Sequence, residues 1–268
     1  MEIGDARYRI DEVEVYLRDP AHPDPFVHGH TAQRPPGQFY FHRAGHGFRG
    51  GSFKGVDLTI GEGPDAIGGI LIRAIHRAPD EAVVGPSRVV DALLAAGGWA
   101  SVSALDEAIA ATCGPDRRGA ATRADAPLRI TRAEPRDLEP LWTARVGLTL
   151  KRCTPRDGRP EFLLRRYRAL ASPQLPKGRA HTLVALIEMN LSDREVSRAT
   201  GSPLAAVARA RSAYRRGLDD PGFERLVPRR GEPDPAEHRA TLARLAGAAP
   251  SYLHGAWARR FGPDTSPA

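Results

Sequence analysis

Apolar and polar residues alternate from residue 8 to 17 (Tyr8, Ile10, then Val13, Val15 and Leu17), the pattern of a strand with one slip in phase. A stretch crowded with Pro, His, Asp and Gly follows over 18–38, and reads as a loop. Short strands are expected at 39–41 and 56–60, separated by the glycine-rich run Gly45-His-Gly-Phe-Arg-Gly-Gly51. Residues 69–75 form an apolar run broken by Arg73, the signature of a buried strand that carries one charge. Over 86–97 the apolar positions Val89, Val90, Leu93 and Leu94 recur at helical spacing. The polar segment 113–125 reads as a loop, and further strands are expected at 128–131 and 161–167.

Near residues 172–176 the composition changes, and beyond them the periodicity is helical: 181–189, 193–200 and 203–217. A loop at 228–235, a weaker helix at 236–246 and a short segment around Trp257 complete the chain. No internal repeat is present. Ser192 and Glu195 stand in capping-box spacing, Gly201 is placed to end a helix in a left-handed conformation, and Ser202-Pro203 suits the start of the next. Two helices joined by so short a turn cross closely, which calls for a small residue (Ser197) at the crossing and an apolar seam of Val196, Leu204 and Val207. This arrangement resembles the helix-turn-helix family, with the helix over 182–189 completing a three-helix unit. The resemblance implies that Arg209, Arg211, Arg215 and Arg216 meet phosphates and guanine edges in a major groove. A helical hairpin that packs on the main domain is the alternative.

These elements predict an α+β protein: a curved, mostly antiparallel sheet core with flanking helices, followed by a small all-α helix-turn-helix domain. The expected divisions are 1–170, 171–226 and a helical tail over 227–268.

Charge sharpens this picture. The 268 residues carry a formal net charge of +7, almost all of it from arginine, since Lys54, Lys151 and Lys177 are the only lysines. Such a balance suits a polyanionic partner, although an arginine-rich composition also follows from a GC-rich genome. Two cysteines are too few for a disulfide framework. With no apolar run of membrane-spanning length and no signal-like N-terminus, the expectation is a soluble, cytoplasmic, nucleoid-associated protein without a membrane partner.

The candidate chemistry lies in the first half. The segment Glu12-Val-Glu-Val-Tyr-Leu17 puts Glu12, Glu14 and Tyr16 on one strand face. An acidic strand face is ordinarily a solvated one. In this chain the segment is followed, in order, by Asp24-x-x-x-His28, Phe41-x-x-x-Gly45, Val56-Asp-Leu-Thr59, Ile70-Leu-Ile-Arg-Ala74, Gly85-Pro-Ser-Arg-Val89 and Ala144-Arg-Val-Gly-Leu148. Together these pieces, spanning roughly residues 7 to 168, resemble the alkyladenine (3-methyladenine, methylpurine) DNA glycosylase family.

The resemblance implies that Glu14 is the general base that activates water against the sugar anomeric carbon, and that Arg73 and the backbone carbonyl of Val146 hold that water. It implies that Tyr16 and His28 sandwich a base flipped out of double-stranded DNA, and that Phe53 wedges into the minor groove in its place. Such chemistry is coherent: a base within a duplex must be extruded to be reached, and a carboxylate both activates water and steadies a cationic sugar. Two positions depart from the family. Gly50 replaces a pocket-wall aromatic, and Asp57, a base-binding position, replaces a substrate-checking Asn. These changes imply a wider pocket and an altered base preference, with Asp57 attracting a donor or a cation.

No lysine falls in the matched motifs, so the expectation is a monofunctional enzyme that forms no Schiff base, needs no cofactor and uses no metal. The loop histidines His22, His28, His30, His42 and His46 match no zinc spacing. The run 45–51 lacks the Lys-Ser/Thr of a phosphate-binding loop and suits close approach to DNA instead. Arg117, Arg118 and Arg123 form a basic loop, either solvated or touching phosphate. Two other readings stay open: a non-catalytic DNA-binding protein or regulator on a glycosylase-derived fold, and an RNA-directed enzyme.

Overall fold

The structure is a computed structural model and describes residues 1–78, 81–133, 139–149, 159–219 and 240–247. It is a mixed α+β protein with antiparallel sheets. The chain forms two compact units: Met1–Pro140 with Tyr167–Ala171, and Leu141–Arg166 with the chain from Ser172 onward. The compositional change near 172 therefore lies beside one division, but residues 141–166, expected in the first domain, belong to the second unit. Among the described residues no single helix is long and apolar enough to cross a membrane.

The first unit is built on strands β1 (Glu2–Ile3), β2 (Ala6–Arg7), β3 (Arg9–Arg18), β4 (Phe39–Phe41), β5 (Arg43–Ala44), β6 (Gly47–Phe48), β7 (Val56–Thr59), β8 (Ile67–Arg77), β9 (Glu81–Val84), β10 (Leu128–Arg129) and β12 (Arg168–Leu170). Its main sheet runs β12-β3-β8-β7-β4, every pair antiparallel, and β9 also pairs with β8. Helices α1 (Pro86–Gly97) and α2 (Val102–Cys113) complete it. The helix α2 was not expected from the sequence, although Val102, Leu105 and Ile109 recur at helical spacing and Ser101 caps it through the Ala104 amide.

Alternation along the strands separates two faces. On one, Phe39, Phe41, Val56 and Ile72 join Val89, Val90 and Leu93 of α1 and Leu105 and Ile109 of α2 in one apolar core. On the other, the register lines up Arg168, Glu14, Leu71, Asp57 and Tyr40 as direct partners across the strands. The polar side chains of this row are buried.

The phase slip read in the first strand is a real irregularity. Ile10 pairs with Ile75, Glu12 with Ala74 and Val13 with Ile72, so β3 carries one extra residue at Asp11 and β8 one extra at Arg73. Such bulges re-aim side chains. The Arg73 carbonyl, out of step with β3, accepts from the Gly85 amide at 2.7 Å.

The second unit contains β11 (Leu141–Thr143), α3 (Arg159–Leu163), α4 (Arg179–Glu188), α5 (Asp193–Thr200), α6 (Leu204–Asp219) and a helical segment at 240–247. The strand expected at 161–167 is replaced by α3 and a turn: alternation over so few residues does not distinguish a strand from one helical turn. The expected loop at 228–235 and the segment around Trp257 lie outside the described residues, as does the start of the helix expected at 236–246.

Helices α4, α5 and α6 enclose an apolar cluster of Leu183, Val184, Leu186, Ile187, Val196, Val207, Ala210 and Ala213. The Ser192–Glu195 capping box is formed in both directions, and Gly201 closes α5 at φ 68°. At the crossing, the Ser197 hydroxyl donates to the Ser202 carbonyl at 2.7 Å. Two sequence expectations change here. The first bonds of α6 go to the Pro203 carbonyl, from the Ala206 and Val207 amides, while Ser202 donates its own amide to the Thr200 hydroxyl. Leu204, expected in the seam, is 50% exposed because it opens α6 on the outer side. Between α4 and α6, Tyr214 meets Glu188, whose other partner is Arg166 at 2.6 Å. Burial and the Glu188 carboxylate push the Tyr214 phenol up to about 12.

Loss of the reciprocal cap in Ser192→Ala is expected to lower the stability of α5 by about 1 kcal/mol. Hydrogen exchange should report this as faster exchange of the α5 amides, Glu195 among them, with the β3 and β8 amides unchanged.

Candidate active site on the polar face of the sheet

Two carboxylates on β3 meet one guanidinium from β8. Arg73 Nε donates to Glu12 Oε1 at 2.8 Å, and its Nη1 donates to Glu14 Oε2 at 3.3 Å. A second buried guanidinium, Arg168 on β12, donates Nε to the same Glu12 oxygen at 2.7 Å. Glu14 Oε2 also accepts the Tyr16 hydroxyl at 2.9 Å. Glu12, Glu14 and Arg168 are at most 1% exposed. Charges buried to this degree persist only when paired, and together with Arg73 they sum to zero. Burial works against the charge of Arg73, but the fields of Glu14 and Glu12 outweigh it and hold the guanidinium above its ordinary range.

The acidic face is thus the enclosed one, the reverse of what an acidic strand face ordinarily signifies. The bulges explain the geometry. With Arg73 displaced from the β3 ladder, one guanidinium reaches carboxylates two residues apart. Glu14 is oriented by a cation and a phenol, a suitable arrangement for a general base acting on a water.

One strand beyond β8 stands Asp57, and both its oxygens are engaged: Oδ2 accepts from Gln33 Nε2 and Oδ1 from His42 Nε2, each at 2.9 Å. Asp57, expected to attract a donor or a cation, meets two donors of its own chain here. Its carboxylate organises its neighbours. Gly69 makes room for it: a Cβ there would stand 2.7 Å from the Asp57 Cβ and 2.9 Å from Oδ2. Gly55 does the same for His42, whose ring atoms would lie 2.6 Å from an added Cβ.

The His28 ring lies 5.1 Å from that of His42, centroid to centroid. Partial burial, and then the nearby His42 and Arg49 charges, lower its affinity for a proton against the pull of Asp57. Asp24, wholly buried, accepts from the Phe26 amide at 3.0 Å and so shapes the turn that presents His28. Tyr16, His28 and Asp57 therefore belong to one unit with Glu14 and Arg73. Val146 lies in the second unit, in a bend before Gly147 at φ 84°.

Phe53 closes a short 3-10 turn, Gly51–Phe53, and is 70% exposed, a costly placement for a phenyl ring in water. Around it Gly45, Gly47, Gly50 and Gly51 have open space where a side chain would be. Lys54, the next residue, is pinned to Asp91 of α1. In the basic loop, Arg117 is structural, bound to the Asp106 carboxylate on α2 at 2.6 Å, and Arg123 pairs with Asp125 at 2.7 Å.

Of the loop histidines, His28 and His42 face each other, and His22 and His30 have different neighbours. His22 faces Tyr167, and His30 caps the turn Thr31–Gln33 through Nδ1 while facing Tyr40. Among the described residues no three His, Cys, Asp or Glu converge as a metal-ligand set.

On α6, Arg209, Arg215 and Arg216 are exposed. Arg211, expected with them at DNA, is instead a clasp: Nε donates to Asp193 Oδ1 at 2.6 Å and Nη2 to the Leu191 carbonyl. Its position on the helix turns it toward the start of α5 and away from the exposed arginines. The sequence reading missed Arg168, Gln33 and His42 as members of the polar cluster. Their partners lie 156, 24 and 15 residues away, and no local periodicity reports such contacts.

Arg73→Met would leave Glu12 and Glu14 buried side by side without their shared cation. It is expected to destabilise the chain by roughly 3–5 kcal/mol, read from the shift of the chemical denaturation midpoint.

Against known proteins, no family model matches the chain and no solved structure matches it. A stretch of 103 residues is 35% identical to an uncharacterized protein of Acanthamoeba polyphaga mimivirus, covering 33% of this chain and 48% of the viral one. The chain thus spans about half the length of that relative.

Proposed function

We propose that the chain is a monofunctional DNA glycosylase, which hydrolyses the N-glycosidic bond of a damaged or modified purine flipped out of duplex DNA. The observation that carries this reading is the buried Glu14, held by Arg73 and Tyr16 on a sheet face that also bears Asp57 and leads to His28. Water attacks the sugar anomeric carbon and gives its proton to Glu14. The bond to the base nitrogen breaks, and its electron pair leaves with the base. A carboxylate beside a developing sugar cation lowers the barrier through charge as well as through proton transfer. Arg73 sets the orientation of Glu14, and Tyr16 donates to the same oxygen. Tyr16 and His28 are the aromatic faces offered to the base. Among the described residues, the side chains that hold Glu14 are Arg73 and Tyr16 and not a lysine, in keeping with hydrolysis and not with strand cleavage through a Schiff base.

Phe53 supports the same reading from outside. An exposed ring on a glycine-lined loop can enter a duplex and fill the space of an extruded nucleotide. In this reading the first unit is the curved-sheet glycosylase core, and α5 and α6 of the second unit are the helix-turn-helix module. The outer face of α6 combines Arg209, Arg215 and Arg216 with the small side chains of Ala205, Ala208 and Ser212, so a groove wall can come close. Double-stranded DNA is the partner, and the proposed setting is the nucleoid.

Base release from alkylated and deaminated duplex DNA, scored as alkali-labile sites, tests the central claim. The wild type is expected to generate such sites and Glu14→Gln to lose at least ~100-fold in rate, the usual share of a general base. Absence of release by the wild type from the whole panel, with duplex binding intact, would instead favour a DNA-binding regulator. Arg209→Ala with Arg216→Ala is expected to weaken duplex binding and to reduce the slope of log K against log salt by about 2, in a titration across salt concentrations.

A further inference from the structure

Asp57 settles which way its neighbour faces. The Asp57 carboxylate accepts from the Gln33 amide nitrogen, 2.9 Å from Oδ2. The other end of the same amide, Gln33 Oε1, is then fixed as an acceptor. Gln33 is 2% exposed, and its Oε1 is buried without a hydrogen-bond partner among the described residues. Its backbone has little freedom: the Gln33 amide donates to the His30 carbonyl at 2.9 Å, and Gly61 lies so close that an added Cβ would stand 2.4 Å from the Gln33 carbonyl oxygen. A rigid, dehydrated acceptor left unmade costs about 1–3 kcal/mol, and a ligand N–H would recover it.

The position of this acceptor suggests the ligand. Asp57 and Glu14 both pair with Leu71, from opposite sides, so the Gln33–Asp57–His42 group stands on the same sheet face as Glu14, one strand removed. We propose that Gln33 reads the base: its Oε1 accepts a hydrogen bond from an N–H on the edge of the flipped heterocycle, and the pocket prefers bases that offer a donor there to bases that offer an acceptor. This rests on the glycosylase reading for the ligand's identity. Asp57 acts at one remove, as the positioning residue that decides which end of the Gln33 amide faces the base. The substitution Asp57→Asn is expected to reverse that amide. The side-chain oxygen introduced at this position stays toward His42 Nε2 and its nitrogen turns to Gln33, which then accepts through Oε1 and presents Nε2.

The test compares duplexes with one hypoxanthine, whose N1–H donates, or one 6-methoxypurine, whose N1 accepts, in the same sequence. Single-turnover base release and equilibrium affinity are measured for the whole chain, for Asp57→Asn and for Gln33→Met. The wild type is expected to favour hypoxanthine by about tenfold or more, Asp57→Asn to move that ratio at least ~10-fold toward 6-methoxypurine, and Gln33→Met to bring it near one. Release with the same ratio in all three proteins would overturn the proposal and leave the glycosylase reading standing. Affinities that discriminate and invert, with no base released, would support the reading pocket and remove the glycosylase. Equal affinities and no release would overturn both.

Discussion

Arg73 shared between Glu12 and Glu14 is the contact on which the polar half of the first unit depends. Two carboxylates two residues apart on a buried strand face would repel each other and forfeit their hydration, at a cost of several kcal/mol for each ion. The guanidinium between them, with Arg168 on Glu12, sets two positive charges against the two negative ones and gives the carboxylates directed bonds. That contact needs paired bulges, because a regular ladder would hold Arg73 in step with β3. The bulges in turn need the apolar face beneath to stay in register, and the packing of Phe41, Val56 and Ile72 against α1 and α2 supplies that.

The same logic extends one strand further. Asp57 is also a buried carboxylate, and it too is satisfied from within, by an amide and an imidazole. The polar face therefore holds two differently balanced groups. Around Glu14 the described partners include a cation and a phenol, which orient its carboxylate. Around Asp57 they are hydrogen-bond donors with contacts of their own: His42 lies against the ring of His28, and the buried Gln33 Oε1 has no hydrogen-bond partner among the described residues. In the proposed reaction these correspond to bond breaking and base choice. Their separation by one strand keeps changes at the second from disturbing the charge balance of the first.

Arginine carries the positive charge of this chain, and the structure divides it by task. Arg73 and Arg168 are buried counter-ions, Arg117 and Arg211 are clasps on Asp106 and Asp193, and Arg209, Arg215 and Arg216 face outward on α6. Of these, only the last group is placed to serve a polyanion. Net charge alone overstates how much of the chain is given to nucleic acid, since a guanidinium with its planar set of donors is also a suitable partner for a buried carboxylate.

Local physics was legible without coordinates. The limits of α1 and α5, the Ser192–Glu195 cap, the left-handed Gly201 and even the slip in β3 follow from interactions among residues a few positions apart, which periodicity and turn chemistry record. The sequence by itself also determined that Glu12, Glu14 and Tyr16 share a face. Only the tertiary structure decided that this face is the buried one, since burial depends on what packs above a strand and not on its own alternation. Tertiary structure likewise withdrew Arg211 from the exposed set, moved residues 141–166 into the second unit and gave each oxygen of Asp57 a donor from its own chain. The contacts at Arg211 and Asp57 turn on partners 15 or more residues away. Hydrogen bonds and ion pairs at such separations leave no period in the chain, because they are selected by the fold once the short-range elements have formed.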